Sequence, residues 1–267
     1  MEMADRHDSE AALAQCSCDS FLGGRFRAFQ PAKGPRAAID ALFLAAAVPA
    51  LQGAGDAVFE AGLGTGVAAL ALATRVADVR ITGVELQPAL CAIARENVRL
   101  NGFEERITVV EGDVMAPAQL RERGLKQDSF AHVMANPPYH SQAASRASDN
   151  SAVATAYVAG ADVLEKWARC LASMAAPRAT LTLIHRAQET GRVLDALSRR
   201  FGQLTLYPLF PRAGAPASRI LVQGIKGSRA PLRLLPGMVL HEPDGRYTAQ
   251  AERILRDAEA LRLLPDD

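Results

Sequence analysis

The segment Val58-Phe59-Glu60-Ala61-Gly62-Leu63-Gly64-Thr65-Gly66-Val67 constrains the fold more than any other part of this 267-residue chain. A short apolar run reads as a buried strand over Ala57 to Glu60, three glycines follow at alternate positions, and Val67 to Arg75 has the periodicity of a helix. Glycine lets the backbone approach a ligand closely, and the helix behind it turns its unpaired N–H groups towards the same place. A tight turn without a ligand is the plainer alternative. The dinucleotide fingerprint asks for a third glycine three residues after the second, where Val67 stands, which argues against a nicotinamide enzyme.

The same alternation continues along the chain. Val79 to Glu85, Ile107 to Glu111 and Phe130 to Met134 read as strands, and Pro88 to Leu100 as a helix opened by proline and closed by Asn101-Gly102. Ahead of the glycines, Ala37 to Val48 is long enough for a helix that Pro49 ends. Further on, Ala161 to Ala175 and Glu189 to Arg200 read as helices and Ala179 to His185 as a strand. Leu204 to Leu209 and Arg219 to Ile225 form a strand pair with no helix between them, so they are antiparallel neighbours or a long hairpin. Strands and helices joined this closely predict an α/β fold, an open and mostly parallel sheet with helices on both faces. Ligands in such sheets bind beyond the carboxyl ends of the strands. No internal repeat interrupts the pattern.

The functional residues fall where that rule puts them. Glu85 ends the second strand, at the distance where an acid can accept hydrogen bonds from two ribose hydroxyls; an acid favoured by a helix dipole is its bland counterpart. Asp113 follows the third strand, placed to accept from an adenine amino group, or simply to shape a turn. Glycine loop, acid after the second strand and acid after the third together describe a pocket for an adenosine with a charged, non-phosphate tail. S-adenosylmethionine is such a molecule. Glu60, Gly62, Gly64, Gly66, Glu85, Leu86, Asp113, Val114 and Asn136 are the residues expected to line it.

Asn136-Pro137-Pro138-Tyr139 follows the fourth strand directly. Two prolines remove two donors and fix two torsions, leaving a rigid segment rich in carbonyl acceptors. An exocyclic amine is a poor nucleophile because its lone pair is delocalised into its ring. If the Asn136 side-chain oxygen and the Pro137 carbonyl each accept one of its hydrogens, the lone pair is aimed at a methyl donor, and positioning does the rest. Tyr139 can stack on the target ring. A proline-rich turn closing a strand is the alternative.

Composition narrows the partners. The formal net charge is only +1, but the bases are clustered. Arg25, Arg27, Lys33 and Arg36 form one acid-free group, and the stretch His185 to Leu235 carries Arg186, Arg192, Arg199, Arg200, Arg212, Arg219, Lys226, Arg229 and Arg233 against Glu189 and Asp195. These two segments form either a phosphate-facing surface or an ordinary solvated face. The four cysteines lack framework or zinc spacing, so a reducing cytoplasm and no structural metal are expected. No stretch is apolar enough to span a membrane, and the acidic start is not a secretion signal. The first twenty or so residues lack periodicity and read as a mobile tail. His185, at a strand end, reads more readily as structural than as facing the cleft. The loop Pro211 to Arg219 reads equally as a substrate-side lid or an ordinary hairpin loop.

With these motifs in place, the chain resembles the class I methyltransferases of the N-P-P-Y group, and within them the bacterial valine-tRNA adenine-N6 methyltransferases. The resemblance runs from about Phe29 to Arg256. It includes Lys33-Gly34-Pro35-Arg36-Ala37-Ala38-Ile39-Asp40, Thr180-Leu181-Thr182-Leu183-Ile184-His185-Arg186 and the tail His241-Glu242-Pro243-Asp244-Gly245-Arg246-Tyr247-Thr248. It implies a Rossmann-like, mostly parallel seven-stranded sheet with an antiparallel last strand, in one domain over 21–267. Within that domain the cofactor half spans about 55–135 and the substrate half about 136–250. It also implies a cofactor-lining role around Arg36 and Asp40, ribose recognition by Glu85, adenine recognition by Asp113, catalysis by Asn136 and Tyr139, and RNA as partner. Gln87-Pro88 and His140 depart from the usual pattern. Glutamine methyltransferases carry the same tetrapeptide, usually behind a helical domain for which too few residues precede Glu60. DNA adenine and ribosomal guanine amines are the other acceptors with the right chemistry.

Overall fold

The computed structural model describes residues 13, 15–32, 39–138 and 150–263, with only the backbone for 150–161. An antiparallel hairpin, β1 (Cys16–Phe21) and β2 (Phe26–Pro31), comes first. Helix α1 (Ile39–Ala47) leads into β3 (Ala57–Ala61), α2 (Val67–Arg75), β4 (Arg80–Glu85), α3 (Pro88–Leu100), β5 (Ile107–Glu111), α4 (Pro117–Glu122) and β6 (Phe130–Ala135). Then follow α5 (Asn150–Met174), β7 (Ala175–Arg186), α6 (Thr190–Leu197), β8 (Phe201–Arg212) and β9 (Arg219–Lys226). Two short strands, β10 (Arg233–Leu234) and β11 (Met238–His241), and helix α7 (Ala249–Asp257) close the chain.

The strands from β3 onwards form one nine-stranded sheet in the order β10-β8-β9-β7-β6-β3-β4-β5, with β11 also paired to β8. Strands β3 to β7 are mutually parallel, and β9 lies antiparallel between β7 and β8. The expected mostly parallel sheet with an antiparallel last long strand is therefore present. Its strand count is a correction: β10 and β11 extend the expected seven to nine, pairing parallel with β8 through segments too short to carry a periodic signal. A second correction concerns the expected tail, since Cys16–Phe21 is a strand. Its six residues pair with β2 from Cys16 opposite Pro31 to Phe21 opposite Phe26. The hairpin gains its buried face only by docking on the rest of the fold, so its own sequence does not announce it.

Successive strand residues point to opposite faces. Val58, Met134, Ile184 and Leu221 enter one core layer with α1, α2 and α7, while Phe59, Val133, Leu183 and Val222 enter the other with α5 and α6. Helices thus cover both faces, as the near-continuous apolar strands require.

Side chains pin the helices against the sheet. The α1 C-terminus is capped by Arg75, whose Nη2 donates to Ala45 O at 3.2 Å and Val48 O at 2.6 Å; burial lowers that guanidinium pKa to about 10. Gln223, fully buried, donates to Ala47 O at 2.7 Å and to Thr182 Oγ1 at 3.0 Å. Asn97 and Asn101, one helical turn apart, clamp alternate residues of β2. Asn97 accepts from Phe29 N at 2.6 Å and donates to Phe29 O at 3.0 Å; Asn101 accepts from Arg27 N at 3.1 Å and donates to Arg27 O at 2.7 Å. Four residues of helix rise about 6 Å and two of strand about 6.6 Å, so two amides on one helix face can stand in for a neighbouring strand. At the other end of the chain, Arg25 reaches Arg256 O and pairs with Asp257 at 3.8 Å, tying α7 to the hairpin turn.

Candidate active site

Because β3, β4, β5 and β6 are parallel and side by side, their carboxyl ends bring Gly62, Glu85, Asp113 and Asn136 to one edge of the sheet. The glycine loop is held there by its own backbone. Leu63 N–H donates to Val84 O at 2.9 Å, and Gly66 N–H to Leu63 O at 2.9 Å. Gly62, Gly64 and Gly66 have φ of +70°, +58° and +84°, values that L side chains rarely adopt. At Gly62 space matters too: a Cβ there would lie 2.4 Å from Cη2 of Trp167, whose ring bears on the loop from α5. At Gly64 the same construction meets nothing within 4 Å, so the backbone there is open.

Glu85 closes the loop. Its Oε2 accepts from Gly64 N–H and its Oε1 from Gln87 N–H, both at 2.9 Å, and its carbonyl accepts from Gly112 N–H at 2.8 Å. Glu85, through its buried carboxylate and its backbone carbonyl, thus joins the ends of β3, β4 and β5. Asn97 adds a further strut, donating to Thr65 O in the loop at 2.9 Å. Glu60, the residue before Ala61 and Gly62, is 3% exposed, and its Oε2 has no hydrogen-bond partner. Burial raises its pKa well above the usual carboxylate value; the Ala69 N–H at the start of α2 draws it down and the Glu85 charge pushes it up.

Asp113 forms a turn, Oδ1 accepting from Met115 N–H at 2.7 Å. Leu86 is 58% exposed at the end of β4, an apolar surface beside the loop. Val114 is buried instead, in the core layer that holds Leu120 and Leu125, so its side chain does not line an open pocket. Asn136 is half-buried and Pro137 buried, directly after Ala135, which pairs with Ala61 across β6 and β3. Asp40, at the start of α1, is buried and bonds Arg219 of β9 at 2.8 Å. Arg36 and Tyr139 lie outside the described residues.

Trp167, Asn97 and Arg219 support the site without having been picked out for it. No motif marks them; only Trp167, the sole tryptophan of the chain, carries even a weak signal. His185 is buried at the end of β7, with its pKa lowered first by burial, in keeping with a structural histidine. The loop between β8 and β9 stands on the same sheet edge as the glycines, with Ala215 N–H closing on Arg212 O at 3.2 Å. The second basic segment is not one surface. Arg186, Arg212 and Arg219 stand at this edge, whereas Arg200, next to β8, and Lys226, at the end of β9, are at the opposite one, paired to Glu165 and Asp128. Antiparallel β8 and β9 send their two ends apart. A separate open groove of about 830 Å³ lies near α7, lined by Glu242, Asp244, Arg246, Tyr247, Glu252 and Arg256, and mixes charges of both signs.

The donor set suits a cationic adenosine derivative. Two acidic side chains, Glu60 and Glu85, border the loop, and the open backbone at Gly64 and the bare Oε2 of Glu60 leave room and an unmet acceptor.

A family model described as the methyltransferase small domain matches residues 39–166. A crystal structure described as a predicted O-methyltransferase from Agrobacterium tumefaciens is 30% identical, with a TM-score of 0.70 over 84% of this chain and 98% of that one. The chain belongs to the class I S-adenosylmethionine-dependent methyltransferases. Among curated relatives of this methyltransferase, a tRNA1(Val) (adenine(37)-N6)-methyltransferase of Erwinia tasmaniensis is 29% identical over 207 residues, 77% of this chain and 81% of the relative. A release factor glutamine methyltransferase of Moorella thermoacetica is 38% identical, but over 82 residues only, 31% of this chain and 26% of that protein's length. S-adenosylmethionine is the cofactor. When bound it supplies an activated methyl group on a sulfonium. No described helix is long and apolar enough to cross a membrane, and the described residues hold no cluster of three or more potential metal ligands.

Proposed function

We propose that this methyltransferase transfers the methyl group to the exocyclic N6 amine of an adenine in RNA, near the anticodon of a tRNA in the cytoplasm. The observation that carries the reading is Asn136-Pro137 at the carboxyl end of β6, the strand next to the glycine-loop strand. The Asn136 side-chain oxygen and the Pro137 carbonyl accept the two amine hydrogens, and Tyr139 stacks on the base. Bound S-adenosylmethionine would supply the methyl group by displacement at its sulfonium, with S-adenosylhomocysteine as the leaving group, and the amine so held would give up its extra proton to water. In-line positioning and fixed dipoles supply the acceleration, with no strong base. Glu85 receives the ribose hydroxyls and Asp113 the adenine amino group of the cofactor, with Gly62, Gly64 and Gly66 below them. The Erwinia relative, aligned over most of both chains, supports tRNA over the other acceptors.

The test is incubation with labelled S-adenosylmethionine and, separately, total bacterial tRNA, ribosomal RNA, DNA and peptide release factor, followed by digestion to nucleosides and mass identification. N6-methyladenosine from tRNA supports the reading. Label in glutamine, in DNA or in guanine would sink it.

A further inference from the structure

We infer that Glu60 receives the cofactor's positive charge in exchange for its own proton, so that S-adenosylmethionine binds this protein with proton release. The inference rests on the reading that the glycine loop holds the cofactor. Glu60 lies opposite Gly83 of β4 and Met134 of β6, two residues before Gly62, in the middle of the sheet edge where that loop begins.

Its surroundings oppose a second negative charge. Oε2 is buried without a hydrogen-bond partner, and an ionised carboxylate in that state has lost its water and gained little in return. Glu85 shares the region and accepts an N–H from each of Gly64 and Gln87, donors that Glu60 Oε2 lacks. A carboxyl with a buried, undonated oxygen beside another acid is disfavoured in its charged form. The other groups towards Glu60 leave that balance in place. Helix α2 offers one N–H, from Ala69; β6 offers the uncharged Met134; and Asp40, at the start of α1, is bonded to Arg219. Burial and the Glu85 charge together hold the proton on Glu60, against the pull of Ala69.

A cation entering beside the loop reverses this. An opposite charge within about 4–6 Å favours the ionised form of a carboxyl by one to three pKa units. Glu60 then releases its proton to the buffer and becomes the counter-charge of the ligand. Cofactor affinity is consequently coupled to pH, up to tenfold per pH unit wherever free Glu60 is protonated and bound Glu60 is not.

Calorimetric titration of S-adenosylmethionine in phosphate and in bis-Tris at pH 6 reads the proton directly, because the two buffers take it up with different heats. The expected result is release of between half a proton and one proton per cofactor bound. Glu60→Gln, which is neutral and of the same shape, should bind with no buffer dependence and with an affinity that no longer changes between pH 6 and pH 8. Wild-type binding without a buffer-dependent heat overturns the inference and leaves the cofactor reading standing, as does proton release that persists in Glu60→Gln. Absence of any S-adenosylmethionine binding would instead overturn the cofactor reading. If Glu60→Gln does not fold, carboxyl carbon NMR of the wild type decides: one glutamic acid protonated at pH 6 in the free protein must ionise on cofactor addition, and its failure to do so overturns the inference.

Discussion

Gly62→Ala puts the geometry of the glycine loop, and its proposed role in holding the cofactor, to a quantitative test. The added methyl group would stand 2.4 Å from Cη2, 3.1 Å from Cζ3 and 3.6 Å from Cζ2 of Trp167. Ordinary carbon contacts begin near 3.4 Å, so ring and loop must separate by roughly 1 Å. Trp167 is 8% exposed within the core layer of α5 and cannot simply swing aside. Two costs add: about 1–2 kcal/mol for an L residue held at φ +70°, and about 1–3 kcal/mol for overpacking. Together they come to about 2–5 kcal/mol, and since both are relieved by displacing the loop, most of that falls on cofactor binding. The dissociation constant for S-adenosylmethionine should rise at least about 30-fold. Trp167→Phe removes the ring edge that collides but leaves the left-handed backbone. In Gly62→Ala/Trp167→Phe the overpacking part should therefore be recovered, with a coupling of about 1 kcal/mol or more in a double-mutant cycle. Calorimetric titration gives the four affinities, and urea melts show whether each variant is folded. Losses that simply add, or wild-type affinity in Gly62→Ala, would refute the steric argument.

Other consequences concern stability and rate. His132 bonds Thr180 Oγ1 at 2.7 Å and Asp56 at 3.2 Å, yet burial outweighs the Asp56 charge and lowers its pKa. The folded state thus prefers the neutral ring, and the stability it contributes is intact above the unfolded pKa of about 6.5 and declines as pH falls below it. The urea midpoint should drop between pH 7 and pH 5, less steeply in His132→Gln, with His185 contributing in the same direction; a flat wild-type profile contradicts this. Asn97→Ala deletes three hydrogen bonds, to Phe29 N, Phe29 O and Thr65 O, and should cost about 2–4 kcal/mol. Hydrogen exchange should show the β1–β2 hairpin opening first; unchanged protection there would show that the amide clamp does not hold it. Asn136→Ala should lower kcat by about 10²–10³ while S-adenosylmethionine affinity moves less than about tenfold, in steady-state assays with the proposed RNA substrate and in calorimetry. Unchanged kcat would remove the proposed mechanism.

The path from residues to architecture was short for the central sheet. Val67–Arg75, Pro88–Leu100 and Ile107–Glu111 are bounded by proline, by Asn101-Gly102 or by the glycine loop, and the structure places them with those same ends. Local signals suffice there because period, cap and turn residue agree. The hairpin Cys16–Pro31 escaped because its main partners, Asn97 and Asn101, lie some seventy residues away. The basic stretch from His185 to Leu235 left two readings open for a related reason. Adjacent in sequence, its charges are sent to opposite ends of the sheet by an antiparallel strand pair.

The glycine spacing, the acids closing successive strands and Asn136-Pro137-Pro138-Tyr139 by themselves pointed to methyl transfer from S-adenosylmethionine, because each motif is a short segment that carries its own backbone constraint. What surrounds those groups, and what presses on them, was decided only by the tertiary structure. Glu85 takes its two N–H donors from Gly64 and Gln87, Glu60 is left with a bare buried oxygen, and Trp167 reaches Gly62 from a helix a hundred residues on. Desolvation and close packing depend on what long-range folding brings together, and no local pattern encodes them.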